Sequence, residues 1–177
     1  MRDARIPLPT SIQPGVAACL FDAHGRILLH QRRAGGGWAP PSGTVEVGET
    51  VLAALHRELH EETALTVAVT RVVGVYSDPA YMIVAYPDGR VTHFVTTLFR
   101  CAVVSGTLHG NDEGLAWGWF APDALPDGLT AYARVWLADA LPEPPPDALP
   151  DEPDAGPIDV APVQSSGRLL PPGVTVR

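Results

Sequence analysis

Residues 49–65 combine a helical apolar stripe with a group of three glutamates, and no other segment limits the possible folds so strongly. Leu52, Leu55 and Leu59 recur at i, i+3 and i+7, the spacing of residues on one face of a helix. The stripe predicts a helix that starts at residue 49 or 50, ends near residue 63 and buries this face.

The three glutamates, Glu58, Glu61 and Glu62, lie beside this stripe. At the rotation of an α-helix they share an arc of roughly 100° on one side. Three carboxylates so close together repel one another on a bare helix. The pattern therefore has two explanations: a bound cation that neutralises the carboxylates, or an ordinary solvated acidic face. If a cation binds, all-oxygen ligation is typical of magnesium or manganese.

Two histidines on the same helix, His56 and His60, initially suggest zinc. They point across the helix from the glutamates, so the two groups cannot share one metal ion. The string H-R-E-L-H also lacks the glutamate that follows the first histidine in the zinc motif H-E-x-x-H. We therefore expect surface or half-buried histidines.

The rest of the chain reads mainly as strands, with one further helix. Apolar runs at 15–22 and 26–33 predict a hairpin with a turn around Gly25, and glycine and proline make 34–43 a loop. The later elements are a strand over 65–79, a hairpin over 80–104 with a PDGR turn, a strand over 115–121 and an amphipathic helix over 130–141.

Composition divides the chain into a lead-in (1–14), one folded domain (15–141) and a tail (142–177). The tail holds ten of the 19 prolines and has six acids against two arginines. Such a segment buries too little apolar surface to offset its chain entropy, so we expect it to be disordered or loosely held.

Charge and hydropathy exclude several classes of protein. A net charge of −8 argues against a general nucleic-acid binder. No apolar run approaches the roughly 18 residues of a membrane helix, and the N-terminal residues show no secretory signal, which predicts a cytoplasmic protein without membrane partners. Cys19 and Cys101 each lie among apolar residues and are predicted to be buried free thiols.

Residues 43–65 read GTVEVGETVLAALHRELHEETAL and resemble the Nudix box, G-x5-E-x7-R-E-U-x-E-E-x-G-U, where U is a bulky aliphatic residue. Eight of the nine specified positions match. The departure is Ala64, where the family has a glycine that follows the helix. If Ala64 adopts the left-handed conformation common at that position, it costs on the order of 1 kcal/mol. The resemblance covers about residues 15–140.

The resemblance implies an α/β fold, the Nudix α/β/α sandwich around a mixed β-sheet, and a magnesium cofactor that manganese can replace. It implies metal ligation by Glu58, Glu61, Glu62 and the backbone carbonyl near Gly43. It also implies an ion pair between Arg57 and Glu49. The implied catalytic residues are Glu58, Glu61, Arg57 and Glu113, with either Glu58 or Glu113 as the general base.

The implied reaction is hydrolysis of the pyrophosphate bond in a nucleoside diphosphate linked to another moiety. Pro79 is a loose marker that favours ADP-ribose or another diphosphate sugar over a nucleoside triphosphate. One of Arg32 and Arg33 is expected to contact substrate phosphates. Tyr81 is a candidate for stacking on a base. The other aromatic candidates are Tyr76 and Phe94, whereas Met82 and the tryptophans Trp38, Trp117 and Trp119 are assigned to packing.

Two other functions are compatible with this resemblance. One is a non-catalytic module that binds a small-molecule nucleotide, and the intact glutamate set argues against it. The other is the isomerase branch, which needs a catalytic cysteine in a loop, whereas both cysteines lie in predicted strands. A homodimer is possible because many relatives pair.

Overall fold

The computed structural model describes residues 8–33, 36–86, 88–111 and 114–141. The predicted tail and the first seven residues lie outside these ranges. Within the described ranges the elements, in chain order, are β1 (Ser11–Phe21), β2 (Ile27–Arg32), β3 (Trp38–Ala39), β4 (Ser42–Thr44), α1 (Val51–Thr63), β5 (Thr66–Tyr76), α2 (Pro79–Met82), β6 (Ile83–Ala85), β7 (Val91–Ser105), β8 (Gly114–Phe120) and α3 (Ala131–Ala140).

The strands of the described residues form one mixed sheet with the order β3-β2-β1-β7-β5. Its central pair, β1 and β7, is parallel and runs in register from Ser11↔Thr92 to Phe21↔Ala102. The other pairs are antiparallel, with β4 joined to β1, β6 to β7 and β8 to β2. This arrangement confirms the predicted α/β class.

Strand β1 shows how the two faces of the sheet are covered, because its successive side chains enter different clusters. Val16, Ala18 and Leu20 pack in one cluster with Leu55 and Leu59 of α1. The alternate residues Ala17, Cys19 and Phe21 pack in another cluster with Trp136 and Leu137 of α3. A strand buried on both faces reads as a continuous apolar run, which explains the sequence GVAACLF. The helices therefore lie on opposite faces and complete the predicted α/β/α sandwich.

The first predicted hairpin is correct only in part. Strand β1 begins at Ser11, inside the predicted lead-in, and pairs with β2 only at Phe21↔Ile27. Along most of its length β2 pairs instead with β8, from Ile27↔Phe120 to Arg32↔Gly114. The local sequence specifies the turn, which the backbone bond from Asp22 N–H to the Arg26 carbonyl closes, but it does not specify the partner strand.

The second hairpin is confirmed at its turn, where the Tyr86 N–H donates to the Arg90 carbonyl over 2.8 Å and Gly89 has a φ of 87°. Its first strand starts later than predicted, at Ile83, because residues 79–82 form the short helix α2. Pro79 occupies the start of this helix, and the Asp78 carboxylate accepts a hydrogen bond from the Ala80 N–H over 2.9 Å. Both features initiate helices.

Helix α1 has nearly the predicted bounds, and its N-cap Thr50 accepts a hydrogen bond from the Ala53 N–H over 3.1 Å. The predicted stripe is wrong at Leu52, which is 51% exposed. The buried face consists of Ala54, Leu55, Leu59, Glu62 and Thr63. One of the three glutamates is therefore on the buried side of the helix.

Ala64 ends α1 in the left-handed conformation, with φ 58° and ψ 16°, and its N–H donates to the His60 carbonyl over 2.8 Å. No other non-glycine residue in the described part of the chain has a positive φ. The left-handed geometry is therefore kept, and the helix has the glycine-type ending although its residue is alanine.

Replacing Ala64 with glycine is expected to stabilise the protein by about 0.5–1 kcal/mol, because glycine adopts the left-handed conformation without steric cost. Denaturant unfolding of the variant and the wild type measures the difference. Ala53→Gly, at an exposed position inside α1, is the matched control and is expected to destabilise by about 1 kcal/mol. A destabilised Ala64→Gly variant would contradict the prediction.

Both cysteines are free and buried, as predicted. They belong to clusters on opposite faces of the sheet, Cys19 with α3 and Cys101 with α1. Burial raises the pKa of each thiol to about 12. The thiols are therefore neutral at physiological pH and are not activated nucleophiles.

Among the described residues, none of the helices has the length and apolarity needed to cross a membrane.

Candidate active site

A cavity of about 400 Å³ lies beside β4 and α1. Part of its lining comes from the loop and helix of the glutamate segment and from the end of β2, with Arg32, Ser42, Gly43, Thr44 and Glu58. The lining also contains the aromatic side chains of Tyr81, Tyr86, Phe94, Tyr132 and Trp136. The cavity is thus lined by both charged groups and uncharged aromatic rings.

Glu58 is held against the backbone of β4. Its Oε1 accepts a hydrogen bond from the Thr44 N–H over 2.9 Å. A Cβ added at Gly43 would lie 1.9 Å from the Glu58 carboxyl carbon, far inside van der Waals contact. Only glycine at this position leaves room for the carboxylate. The position of Glu58 therefore depends on the absence of a side chain at Gly43.

Arg57 connects the loop that precedes α1 to the helix. Its guanidinium makes two parallel bonds to Glu49, Nε to Oε1 over 2.9 Å and Nη2 to Oε2 over 3.0 Å. Nη2 also donates to the Thr44 carbonyl over 3.0 Å. This confirms the implied pair, and the bond from Arg57 lowers the pKa of Glu49 below its ordinary value. The loop is consequently anchored at both Thr44 and Glu49.

The same arginine lies between two of the predicted metal ligands. Its Nη1 is 3.1 Å from Oε1 of Glu58 and 3.2 Å from Oε2 of Glu61. After the dominant effect of Glu49, the bond to Glu58 raises the pKa of Arg57 further. The pair with Glu61, four residues along the helix, exists together with the pair to Glu49.

The structure does not gather the three carboxylates into one cluster. Within the described ranges, no three His, Cys, Asp or Glu side chains lie close enough together to hold one metal ion. Glu58 bonds to the β4 backbone, Glu61 is exposed beside Arg57, and Glu62 is buried. Glu58 and Glu61 are each bonded to protein donors, and Glu62 lies on the buried face of the helix. These different environments keep the three carboxylates apart.

The chemistry of these donors fits magnesium all the same, since carboxylate and backbone carbonyl oxygens are its usual protein ligands. Glu58 adjoins the Gly43 backbone and shares a guanidinium with Glu61. The assignment of Glu58, Glu61, Glu62 and Gly43 as metal ligands therefore stays a prediction. Glu113, the other candidate for base or ligand, lies outside the described residues.

The two candidate arginines have different environments. Arg32 lines the cavity, where its Nη1 donates to the Ser42 hydroxyl over 3.3 Å. Arg33 is exposed and does not line the cavity. Of the two, Arg32 is the one whose side chain is placed to meet an anionic substrate.

The aromatic candidates also separate. Tyr81 and Phe94 line the cavity. Tyr76 does not, because its hydroxyl donates to the Asp139 carboxylate over 2.7 Å against α3. Burial raises the pKa of Tyr76, and the bond to Asp139 adds to this rise. Tyr76 therefore belongs to the core.

The residues assigned to packing do pack. Trp38 contacts Phe120 edge to face, with ring centroids 5.1 Å apart. Trp117 lies against the buried His30, whose pKa burial lowers to about 4, with centroids 4.6 Å apart. Met82 is buried and also lines the cavity.

Sequence reasoning missed the contribution of α3. Tyr132 and Trp136 line the cavity, together with Thr130 at the N-cap of this helix. The signal was present, because two aromatic residues four positions apart lie on one face of a helix. The reading of this helix as simply amphipathic did not use that signal.

Comparison with known proteins gives a consistent assignment. Residues 11–141 match the family model of the NUDIX domain. The chain is 31% identical to a MutT-like protein of Streptomyces ambofaciens over 71% of this chain and 75% of that protein. It is 34% identical to an ADP-ribose pyrophosphatase of Methanocaldococcus jannaschii over 65% of this chain and 66% of that protein.

A solved structure with a similar fold is that of a MutT NUDIX hydrolase from Burkholderia pseudomallei. It superimposes with a TM-score of 0.59 at 30% identity and covers 72% of this chain and 97% of its own.

Proposed function

The chain belongs to the Nudix family of hydrolases, and on this premise we propose that it cleaves the pyrophosphate bond of a nucleoside diphosphate linked to another moiety, with magnesium as cofactor and manganese as a substitute. Water attacks one phosphorus, the P–O bond to the bridging oxygen breaks, and two phosphate monoesters leave. For ADP-ribose these products are AMP and ribose 5-phosphate.

The observation that carries this proposal is the composition of the cavity lining. It includes two charged side chains, Arg32 of β2 and Glu58 of α1, together with the uncharged aromatic rings of Tyr81, Tyr86, Phe94, Tyr132 and Trp136. A molecule that carries both an anionic group and an aromatic ring matches this lining, and a nucleoside diphosphate derivative is such a molecule.

Each of the polar groups has a proposed role. Glu58, Glu61, Glu62 and the Gly43 carbonyl would hold magnesium, which when bound would neutralise the charge of the pyrophosphate and lower the pKa of a water molecule. Arg32 binds a phosphate oxygen through its planar guanidinium. Arg57 positions Glu58 and Glu61, and either Glu58 or Glu113 accepts the proton of the water.

We propose ADP-ribose or another nucleoside diphosphate sugar as the substrate, in preference to a nucleoside triphosphate. The supporting relative is the ADP-ribose pyrophosphatase that is 34% identical to this chain. A nucleoside triphosphate is the competing substrate.

Turnover of the purified protein on a substrate panel tests this proposal. The panel contains ADP-ribose, other nucleoside diphosphate sugars, dinucleoside polyphosphates and the common nucleoside triphosphates, each with magnesium, manganese or chelator. Glu61→Gln is assayed alongside and is expected to lower kcat/KM at least about 100-fold, as loss of a metal-site group does. Glu46→Gln, an exposed carboxylate in the same loop, is the matched control and keeps wild-type activity.

Equal activity of the Glu61→Gln and Glu46→Gln variants would contradict the metal-ligand assignment. Cleavage restricted to nucleoside triphosphates would overturn the substrate class but not the reaction. Tight binding of a nucleotide without cleavage, retained in Glu61→Gln, would replace the enzyme with a non-catalytic binding module.

A further inference from the structure

Thr96 is a buried polar residue of β7 whose hydroxyl is not used within the protein. The residue is 4% exposed. Within the described ranges its Oγ1 makes no hydrogen bond, whereas the hydroxyl of Thr92, on the same strand and also buried, bonds to the Ser11 hydroxyl over 3.2 Å. A buried hydroxyl without a partner carries a free-energy penalty, so native proteins rarely retain one that serves no purpose.

The Thr96 hydroxyl can be reached from the cavity. Thr96 lies in the sheet between Gly15 of β1 and Tyr76 of β5, which close off both of its flanks, and it lines the cavity. In the described part of the chain, the unpaired side-chain atoms that have lost their accessible surface do not include its Oγ1. The hydroxyl is therefore both unpaired and accessible to a molecule in the cavity.

The space beside this hydroxyl is open because residue 15 is glycine. A Cβ at Gly15 would lie 2.7 Å from Thr96 Oγ1 and 3.4 Å from the Gly43 carbonyl oxygen. The first distance is well inside van der Waals contact, so a larger residue would press on the hydroxyl. The hydroxyl and the Gly43 carbonyl thus lie beside the same point above Gly15.

The strand that carries Gly43 also holds the charged groups of the cavity. Gly15 pairs with Thr44 of β4 on one side and with Thr96 of β7 on the other. Residues of β4 bond to Arg32 over 3.3 Å and to Glu58 over 2.9 Å. A hydroxyl donates most strongly to an anionic oxygen. In a nucleoside diphosphate derivative, the phosphates supply such oxygens.

We propose that Thr96 is a substrate-binding residue, whose hydroxyl donates a hydrogen bond to a non-bridging phosphate oxygen of the substrate. This inference rests on the proposed function, because it takes a phosphate chain as the group bound beside Gly43 and Arg32. The hydroxyl is paired only in the complex. It therefore lowers the stability of the free protein and raises the affinity for the substrate.

Thermal unfolding of the free protein is the first test. Thr96→Val replaces the hydroxyl with a methyl group of similar size and is expected to raise the Tm, because it removes an unpaired buried polar group. Thr92→Val is the matched control and is not expected to raise the Tm, since its hydroxyl is already bonded to Ser11. A lower Tm in Thr96→Val would show that the hydroxyl is paired within the free protein and would overturn the proposal.

Turnover on the best substrate of the panel is the second test. Thr96→Val is expected to lower kcat/KM at least about tenfold, mainly through KM, as loss of a hydrogen bond to a charged group does. Thr96→Ser keeps the hydroxyl and is expected to retain most of the activity, although it fits the site less well than valine. Thr92→Val is expected to keep wild-type kinetics.

Binding without divalent metal gives a readout that does not depend on turnover. Calorimetry of the whole chain with ADP, GDP, UDP and CDP in the presence of chelator identifies the nucleotide that binds most tightly. Thr96→Val is expected to raise the Kd of that nucleotide at least about tenfold. The Kd of the corresponding nucleoside, which has no phosphate, is expected to be unchanged.

The outcomes separate the two proposals. Wild-type kcat/KM and Kd in Thr96→Val overturn the role of Thr96, and so does an equal loss in Thr96→Val and Thr96→Ser, which assigns the residue to packing. An equal loss of nucleoside and nucleotide affinity overturns the contact with phosphate. If the wild type hydrolyses no member of the panel while Thr96→Val weakens nucleotide binding, the hydrolase proposal fails and the role of Thr96 stands.

Discussion

Gly43→Ala is expected to lower kcat/KM at least about 100-fold, the loss that follows displacement of a catalytic group by about 1 Å. The added Cβ would lie 1.9 Å from the Glu58 carboxyl carbon, a clash that the side chain must relieve by moving. The carboxylate must then leave the backbone of β4 and give up its 2.9 Å bond from the Thr44 N–H. Steady-state kinetics on the best substrate of the panel measures the effect.

Gly25→Ala is the matched control for Gly43→Ala. Gly25 has a φ of 73° and no atom within 4 Å of an added Cβ, so alanine there strains the backbone without displacing a side chain. We expect lower stability and unchanged kcat/KM. Because Gly43→Ala acts through Glu58, it should add little to the loss already caused by Glu58→Gln. Full additivity of the two substitutions would contradict this account.

Arg57→Lys conserves the positive charge, but it is expected to reduce kcat/KM by about 10–100-fold. This is the usual cost of removing a group that orients metal ligands. The guanidinium spans Glu49, the Thr44 carbonyl and Glu61 and lies 3.1 Å from Glu58. A single ammonium nitrogen cannot reproduce the two parallel bonds to Glu49. The loop before α1 should loosen, and the pKa of Glu49 should rise towards its ordinary value.

Kinetics and thermal unfolding of Arg57→Lys test this expectation. Arg26→Lys is the control, because Arg26 makes a similar pair with Asp22 in an exposed turn, and it should keep wild-type activity. The effects of Arg57→Lys and Glu49→Gln should be less than additive, since each removes the same contact. Wild-type activity in Arg57→Lys would show that the anchored loop is not needed for catalysis.

Helix α1 and its ends were predictable because the determinants are local. The repeat of Leu55 and Leu59 fixes the buried face, and Thr50 caps the first turn. The family motif supplied the pairing of Arg57 with Glu49 and the left-handed position of Ala64. Each of these features depends on residues fewer than ten positions apart, whose distances follow from the geometry of one helix and its loops.

The sequence alone did not predict the exposure of Leu52, the burial of Glu62 or the short helix α2. The first two depend on which residues of other elements pack against α1, which the helix periodicity does not contain. The third depends on Asp78 and Pro79, whose helix-starting chemistry competed with the strand-like sequence that follows. Tertiary packing and local capping outweighed the average propensity in these places.

The sequence by itself determined the family, helix α1 and its three glutamates, because their determinants lie in the one continuous segment 43–65. Only the tertiary structure decided that β1 pairs in parallel with β7 and that α3 covers the opposite face of the sheet. It thereby brought Trp136 and Tyr132 of α3 and Glu58 of α1 into the lining of one cavity. Contacts between residues so distant in the chain follow from burying both faces of one sheet at once, a constraint that no local pattern expresses.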